Sequence, residues 1–195
     1  MAAPRERRAS GTAASRRAAA EGARSGGRPQ SRRAAGGSPL GFSLWLLLGA
    51  LIVILDQGTK FYFEHSMDPG DVIPVCPGFN FVLAHNRGAA FSFLAGASGW
   101  QTWLFSLIAL GVIAAVLRLL WKHSDRRLFS LALTLIAAGA LGNFLDRSLS
   151  GYVVDFIDLY WQGWHWPAFN VADIAICAGA VGIVIDELRG VSRDS

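Results

Sequence analysis

Between Gly139 and Asp173 the chain carries Asn143, Asp146, Arg147, Asp155, Asp158, Asn170 and Asp173. Upstream, Asp56 and Lys60 stand four residues apart and would share one helix face. These residue types can do chemistry: carboxylates act as acid and base, amides orient them, and a guanidinium holds oxygen anions. Two carboxylates close enough to share a proton cannot both ionise, so one stays acid while the other draws a proton from water. Such a pair hydrolyses amides with neither metal nor protein nucleophile. Competing chemistries fit less well. His65, His85, His123 and His165 are scattered, with no partner at zinc-ligand spacing. Lys60 has no neighbouring serine for a Ser–Lys dyad, and Thr59 points elsewhere on the helix. No glycine-rich phosphate loop is present. Cys76 and Cys177 form no motif; Cys177, in an apolar run, is expected in the core, and Cys76 near a surface. No metal or cofactor is expected.

The elements that must position these groups are membrane elements. The chain is 52% hydrophobic and only 16% charged, with seven Trp and twelve Phe, and its mean hydropathy is +0.36. Its basic pI of about 9.6 invites a nucleic-acid reading, but the charge is uneven. Residues 1–40 hold nine Arg against Glu6 and Glu21, whereas residues 41–195 hold nine Lys or Arg against twelve acids. The body therefore has no basic face of the kind that binds nucleic acid. The Ala/Arg/Gly/Ser-rich stretch 1–40 cannot bury enough surface to offset its chain entropy and is expected to be disordered. A solvated basic cytoplasmic tail is favoured over a transit peptide or an export signal built on Arg16-Arg17 and Arg32-Arg33. The folded domain is expected over 41–190, with 191–195 as a cytoplasmic C-terminal tail.

Four apolar segments follow: Phe42–Leu55 continuing to Phe63, then about Trp103–Leu120, Leu128–Leu145 and Val171–Ile185. Each approaches the ~20 residues a bilayer-crossing helix needs. The first has a short uncharged core, as a signal peptide would, but no small-x-small cleavage site precedes Asp56-Gln-Gly-Thr-Lys60. Fifteen of the eighteen Lys and Arg fall in the tail, in Arg118–Arg127 or from Arg189 onward; only Lys60, Arg87 and Arg147 lie in the other compartment. That bias predicts four crossings with both termini in the cytoplasm. Phe79, Phe81 and Leu83 alternate with Asn80 and Val82 after a Pro/Gly-rich break, predicting a small sheet on the outer surface. Trp161, Trp164 and Trp166 suit the same interfacial depth.

At ~1.5 Å rise per residue, Asp56 lies about 21 Å from the start of its segment at Phe42. Asn143 and Asp146, near the end of the third segment, reach a similar outer level, and Asn170 and Asp173 open the fourth from outside. Asp155, in the intervening loop, can reach the same layer. Ionisable groups at membrane depth are expensive and mark function by default. Each also has a plainer explanation. Asp56 and Lys60 would form an ion pair, Asn170-Val-Ala-Asp173 has the spacing of a helix cap, Arg147 would snorkel, and Asp158 would be an exposed or hydrogen-bonded loop acid. A small transporter or proton-relaying channel is the rival function, but its charges would line a pathway rather than gather at one level. A non-catalytic factor that holds a lipidated partner is a third.

Five ordered motifs carry a resemblance: Asp56-Gln-Gly-Thr-Lys60, Asn86-Arg-Gly-Ala-Ala-Phe-Ser92, Gly139-Ala-Leu-Gly-Asn-Phe-Leu-Asp-Arg147, Val153-Val-Asp-Phe-Ile157 and Phe169-Asn-Val-Ala-Asp173. Over about residues 42–188 the chain resembles bacterial lipoprotein signal peptidase (signal peptidase II), an integral-membrane aspartic protease. The resemblance implies a membrane all-α fold: four transmembrane helices with a small periplasmic β-sheet cradle and a short interfacial helix. It implies the bacterial inner membrane, with the site at the periplasmic face. It also implies removal of the signal peptide from prolipoproteins, just before a cysteine carrying diacylglycerol. The catalytic aspartates map to Asp155 and Asp173. Asp56, Lys60, Asn86, Gly139, Asn143, Asp146, Arg147 and Asn170 match positions that shape the site and bind substrate. Membrane lipid and globomycin-type cyclic peptide inhibitors are the other implied partners. The positive end of the fourth helix makes Asp173 the expected base.

Overall fold

The computed structural model describes residues 38–88 and 100–191. Helix α1 (Pro39–Ser66) leads into strands β1 (Val72–Cys76) and β2 (Phe79–Asn86). Helices α2 (Trp100–His123) and α3 (Arg127–Ser150) come next, followed by β3 (Val153–Trp161), β4 (Trp164–His165) and α4 (Val171–Val191). The structure is thus mostly helical with a small antiparallel sheet in the order β1-β2-β3-β4. By length and composition α1, α3 and the Trp103–His123 stretch of α2 can cross a membrane. Helix α4 is of similar length but carries Asp173 near one end and Asp186 and Glu187 near the other.

Helix α1 starts where Ser38 caps Gly41 N at 3.4 Å with Pro39 at its first position, a pairing that satisfies an orphan amide where proline has none to lose. The helix therefore begins inside the stretch assigned to the tail; the rest of that stretch, residues 1–37, lies outside the described residues. So do residues 192–195 and 89–99. The interfacial helix expected from the resemblance has no counterpart among the described residues.

Helix α3 is the centre of the bundle, the most buried of the helices, and packs against the other three. At the end away from the sheet, Trp45 Nε1 donates to Ser124 O at 3.0 Å and Ser124 Oγ to Ser38 O at 3.2 Å. There Arg126 also pairs with Asp186. At the sheet end, Phe63 of α1 and Met67, which caps it, pack on Leu83, Val154 and Phe156, with Phe63 stacked on Phe156 at 4.4 Å. Val153–Trp161, read from the sequence as a loop, is instead the long central strand. It pairs with β2 on one side and turns back into β4 on the other.

Two expectations change here. Cys177 is exposed, as is Cys76. An apolar run in a membrane chain faces lipid as readily as protein, so hydrophobicity did not imply the core. Asp158 lies in β3, buried; Asn80 Nδ2 donates to it at 2.7 Å and His165 Nδ1 sits 2.9 Å away. The three tryptophans of the β3–β4 hairpin region are all exposed.

Candidate active site

Helix α4 enters the site through a reciprocal cap. Asp173 N donates to Asn170 Oδ1 at 3.0 Å, and Asn170 N donates to Asp173 Oδ2 at 3.3 Å. Asn170 and Asp173 thus satisfy two donors at the helix start, as the spacing predicts. The cap leaves the Asn170 side-chain NH2 free to work elsewhere. It donates to Asp155 Oδ1 at 2.7 Å and reaches Val154 O at 3.2 Å and Asn143 Oδ1 at 3.4 Å. One fully buried amide side chain therefore touches Asp155 with its nitrogen while its oxygen caps Asp173.

Each carboxylate has a second amide partner. Asn143 Nδ2 donates to Asp173 Oδ1 at 2.8 Å, and Asn86 Nδ2 donates to Asp155 Oδ2 at 3.0 Å. Asp155 is 2% exposed. Burial raises its pKa to about 6, a rise that the Asn86 hydrogen bond opposes and the charge of Asp173 adds to. The Asn170 hydrogen bond and Lys60 act in the lowering direction.

Behind this layer Lys60 is the hub. Its ammonium has three donors and three partners: Asp146 Oδ2 at 2.8 Å, Asp56 Oδ2 at 2.9 Å and Asn143 Oδ1 at 3.0 Å. Asp56, with no exposed surface, turns its other oxygen to Ala172 N at 2.8 Å, so it satisfies an orphan donor in the first turn of α4. Asp146 accepts from Val154 N at 3.4 Å and from Gln57 Nε2 at 2.8 Å, linking α3 to the start of β3. The pair expected from sequence is thus a triad. Gln57, which also contacts Asp56 at 3.2 Å, was not singled out, although its place beside Asp56 in the motif is a usable signal.

Two glycines make room. At Gly142 a Cβ would run into the Asp56 carboxylate, and at Gly139 into the backbone carbonyl of Ala172 and the Ile176 side chain. Small residues let α3 and α4 approach closely enough for Asn143 to reach Asp173. Gly139→Ala should therefore cost about 1–3 kcal/mol. In detergent its thermal midpoint should fall together with activity; an unchanged midpoint would mean that α4 yields easily there.

The Arg147 guanidinium lies 5.3 Å from the Phe105 ring centre, with Nη1 3.4 Å from Asn143 O. Its Nε is buried and has no hydrogen-bond partner among the described residues. It forms no ion pair among them either, and it borders a cavity of about 210 Å³ lined by Leu107, Leu110 and Phe144. All ten residues singled out from sequence thus gather at the sheet end of the bundle, most of them in one hydrogen-bonded network. Among the described residues no comparable network of ionisable groups runs along the helices, as a proton or ion pathway would require.

Comparison with known proteins converges on one group. The family model described as signal peptidase (SPase) II matches residues 48–189. A lipoprotein signal peptidase of Ralstonia nicotianae is 50% identical over 172 residues, covering 87% of this chain and 98% of that protein. One from Cupriavidus necator is 48% identical over 164 residues, covering 84% and 92%. Among solved structures, a bacterial membrane enzyme superposes with a TM-score of 0.70 at 35% identity, covering 78% of this chain and 92% of its own.

Proposed function

The chain belongs to the signal peptidase II family, a family of aspartic peptidases, and on that premise we propose that Asp155 and Asp173 jointly activate a water to cut a prolipoprotein just before its diacylglyceryl cysteine. The observation that carries the reading is Asn170, whose one side chain joins the Asp155 carboxylate to the cap around Asp173. Asp155, pushed up to about 6 by burial, is the member that takes up a proton more readily and, when protonated, hydrogen-bonds the scissile carbonyl. Asp173, at the positive end of α4, takes the proton from water. The two titrate as a pair. Asn143 and Asn86 orient one carboxylate each, and the unpaired edge of Arg147 binds substrate carbonyl or ester oxygens. Lys60, Asp56 and Asp146 hold that layer in place.

Four helices cross the bacterial inner membrane in this reading, α4 included, with both termini cytoplasmic and the sheet at the periplasmic face. The loop charges support it, as does the collection of polar groups at one helix end. The helices and sheet from Pro39 to Val191 form the peptidase domain, and the stretches before and after it are cytoplasmic tails. Globomycin-type cyclic peptides would compete for the same cleft.

The purified full chain in detergent, mixed with a diacylglyceryl prolipoprotein and a chelator, tests the reading. Signal-peptide release should persist in chelator and stop with the cyclic peptide. No release from a folded preparation, or release abolished by chelator, would overturn it.

A further inference from the structure

Asp56, Lys60 and Glu64 follow one another at four-residue spacing on one face of α1, yet Glu64 takes no part in the network around Lys60. Its carboxylate turns to the sheet instead. Oε2 lies 3.0 Å from His85 Nε2, and Oε1 accepts the Tyr152 hydroxyl at 2.9 Å. The His85 ring stacks on Tyr152, centroids 4.0 Å apart. Glu64 and His85 are only about a quarter exposed, at 27% and 25%.

The two residues it grips bracket the strand register that matters. Pairing between β2 and β3 is interrupted by a shift between Phe81 and Ala84. Beyond the shift only three pairs remain: Ala84 with Asp155, His85 with Val154, and Asn86 with Val153. A short stretch past an irregularity is weakly held by its own hydrogen bonds. A slip of one residue there would turn Asn86 away from Asp155. Side chains alternate across a strand, so His85 lies on the opposite face from Asn86 and Asp155, and Tyr152, just before β3, stacks on His85 from that side. The clamp therefore fixes the register from behind without touching the carboxylate.

We propose that Glu64, with His85 and Tyr152, is a positioning residue that locks the end of β2 against β3 so that Asn86 stays hydrogen-bonded to Asp155. The proposal rests on the reading of Asp155 as half of the catalytic pair. Besides Asn86 and Asn170, the groups that bear on Asp155 are Asp173 from α4, Lys60 from α1 and Arg147 from α3. Arg87 and Asp146 bear on Tyr152.

The test is a cycle of E64A, N86A and E64A/N86A in the purified full chain, followed as signal-peptide release against pH. E64A should lower kcat about tenfold, the effect of one to two lost positioning hydrogen bonds, with KM within about twofold. The Asn86 hydrogen bond favours the charged form of Asp155, so losing it should move the Asp155-dependent limb of the pH profile to higher pH. On the N86A background E64A should have little further effect, because both act through one contact. E64Q, which keeps an acceptor oxygen, should recover most of the rate. If E64A does not fold, Y152F removes a single bond and should show the same upward limb shift at smaller size. Additive losses in the double variant, or a lowered thermal midpoint with an unmoved pH profile, would overturn the proposal. D155N in the same assay separates the two claims: if D155N still processes substrate, the reading of the pair has failed. In that case amide hydrogen exchange at residues 84–86 still reports whether E64A loosens the strand.

Discussion

Asp155→Asn is expected to lower signal-peptide release by about 10³-fold or more while making the folded chain more stable at neutral pH. The first half follows from the reading of the pair, since an asparagine can neither hold nor pass the proton. Asp173→Asn should match it. The second half follows from burial. With a pKa near 6 against 3.8 for an ordinary Asp, Asp155 costs the native state about 3 kcal/mol at pH above 6. The sign is fixed by proton uptake. Between pH 4 and 6 the native chain binds more protons at this position than the unfolded chain, so its stability rises as pH falls. Asparagine abolishes that dependence. It also gives up one good acceptor, because Asn86 and Asn170 both donate to the carboxylate, which returns about 1 kcal/mol. The net gain is about 1–2 kcal/mol at pH 7.5, shrinking to nothing or reversing near pH 4. Thermal unfolding in detergent at the two pH values reads it directly. An inactive but less stable Asp155→Asn at pH 7.5 would mean that the amide hydrogen bonds outweigh the burial cost.

Much of this site is legible in the sequence because it is built at helix ends, where local chemistry leaves a signature. The Asn170-to-Asp173 spacing announces a cap, and the cap forms. The Asp56–Lys60 spacing announces a shared face, and the ion pair forms. Apolar runs locate all four helices, starting each within three residues and ending the last two five or six residues short. The strand β3 left no such mark. Val153–Asp158 is buried at nearly every position, so it lacks the polar–apolar alternation of a half-exposed strand. Its two acids, Asp155 and Asp158, also argue locally for a loop. Partners distant in the chain are equally silent: nothing near Lys60 indicates Asp146, or near Glu64 indicates Tyr152. Only the register of α1, continued one turn past Lys60, hints that Glu64 faces the same way.

Lys60→Met should be the most destabilising single change in the network, at about 3–5 kcal/mol, because it strands two buried carboxylates. Asp56 and Asp146 share the Lys60 ammonium, and their side chains are 1% and 8% exposed. Without it the two carboxylates share only the Gln57 amide as a common donor. The damage should spread along two routes. Asp56 holds Ala172 N, in the first turn of α4 beside Asp173. Asn143, relieved of Lys60, is free to turn the amide that holds Asp173 Oδ1. Stability and turnover should therefore fall together. A rescue separates charge from shape. Lys60→Met combined with Asp56→Asn and Asp146→Asn removes every charge in the triad and should recover most of the lost thermal midpoint. It should not recover the rate, because the ammonium that fixes Asn143 is still missing. Activity is then compared per folded molecule, counted by monodisperse protein on size exclusion. If Lys60→Met lowers the midpoint but leaves each folded molecule as active as wild type, the triad is a structural ion pair and Asn143 is oriented by its contacts to Asp173 and Asn170 alone.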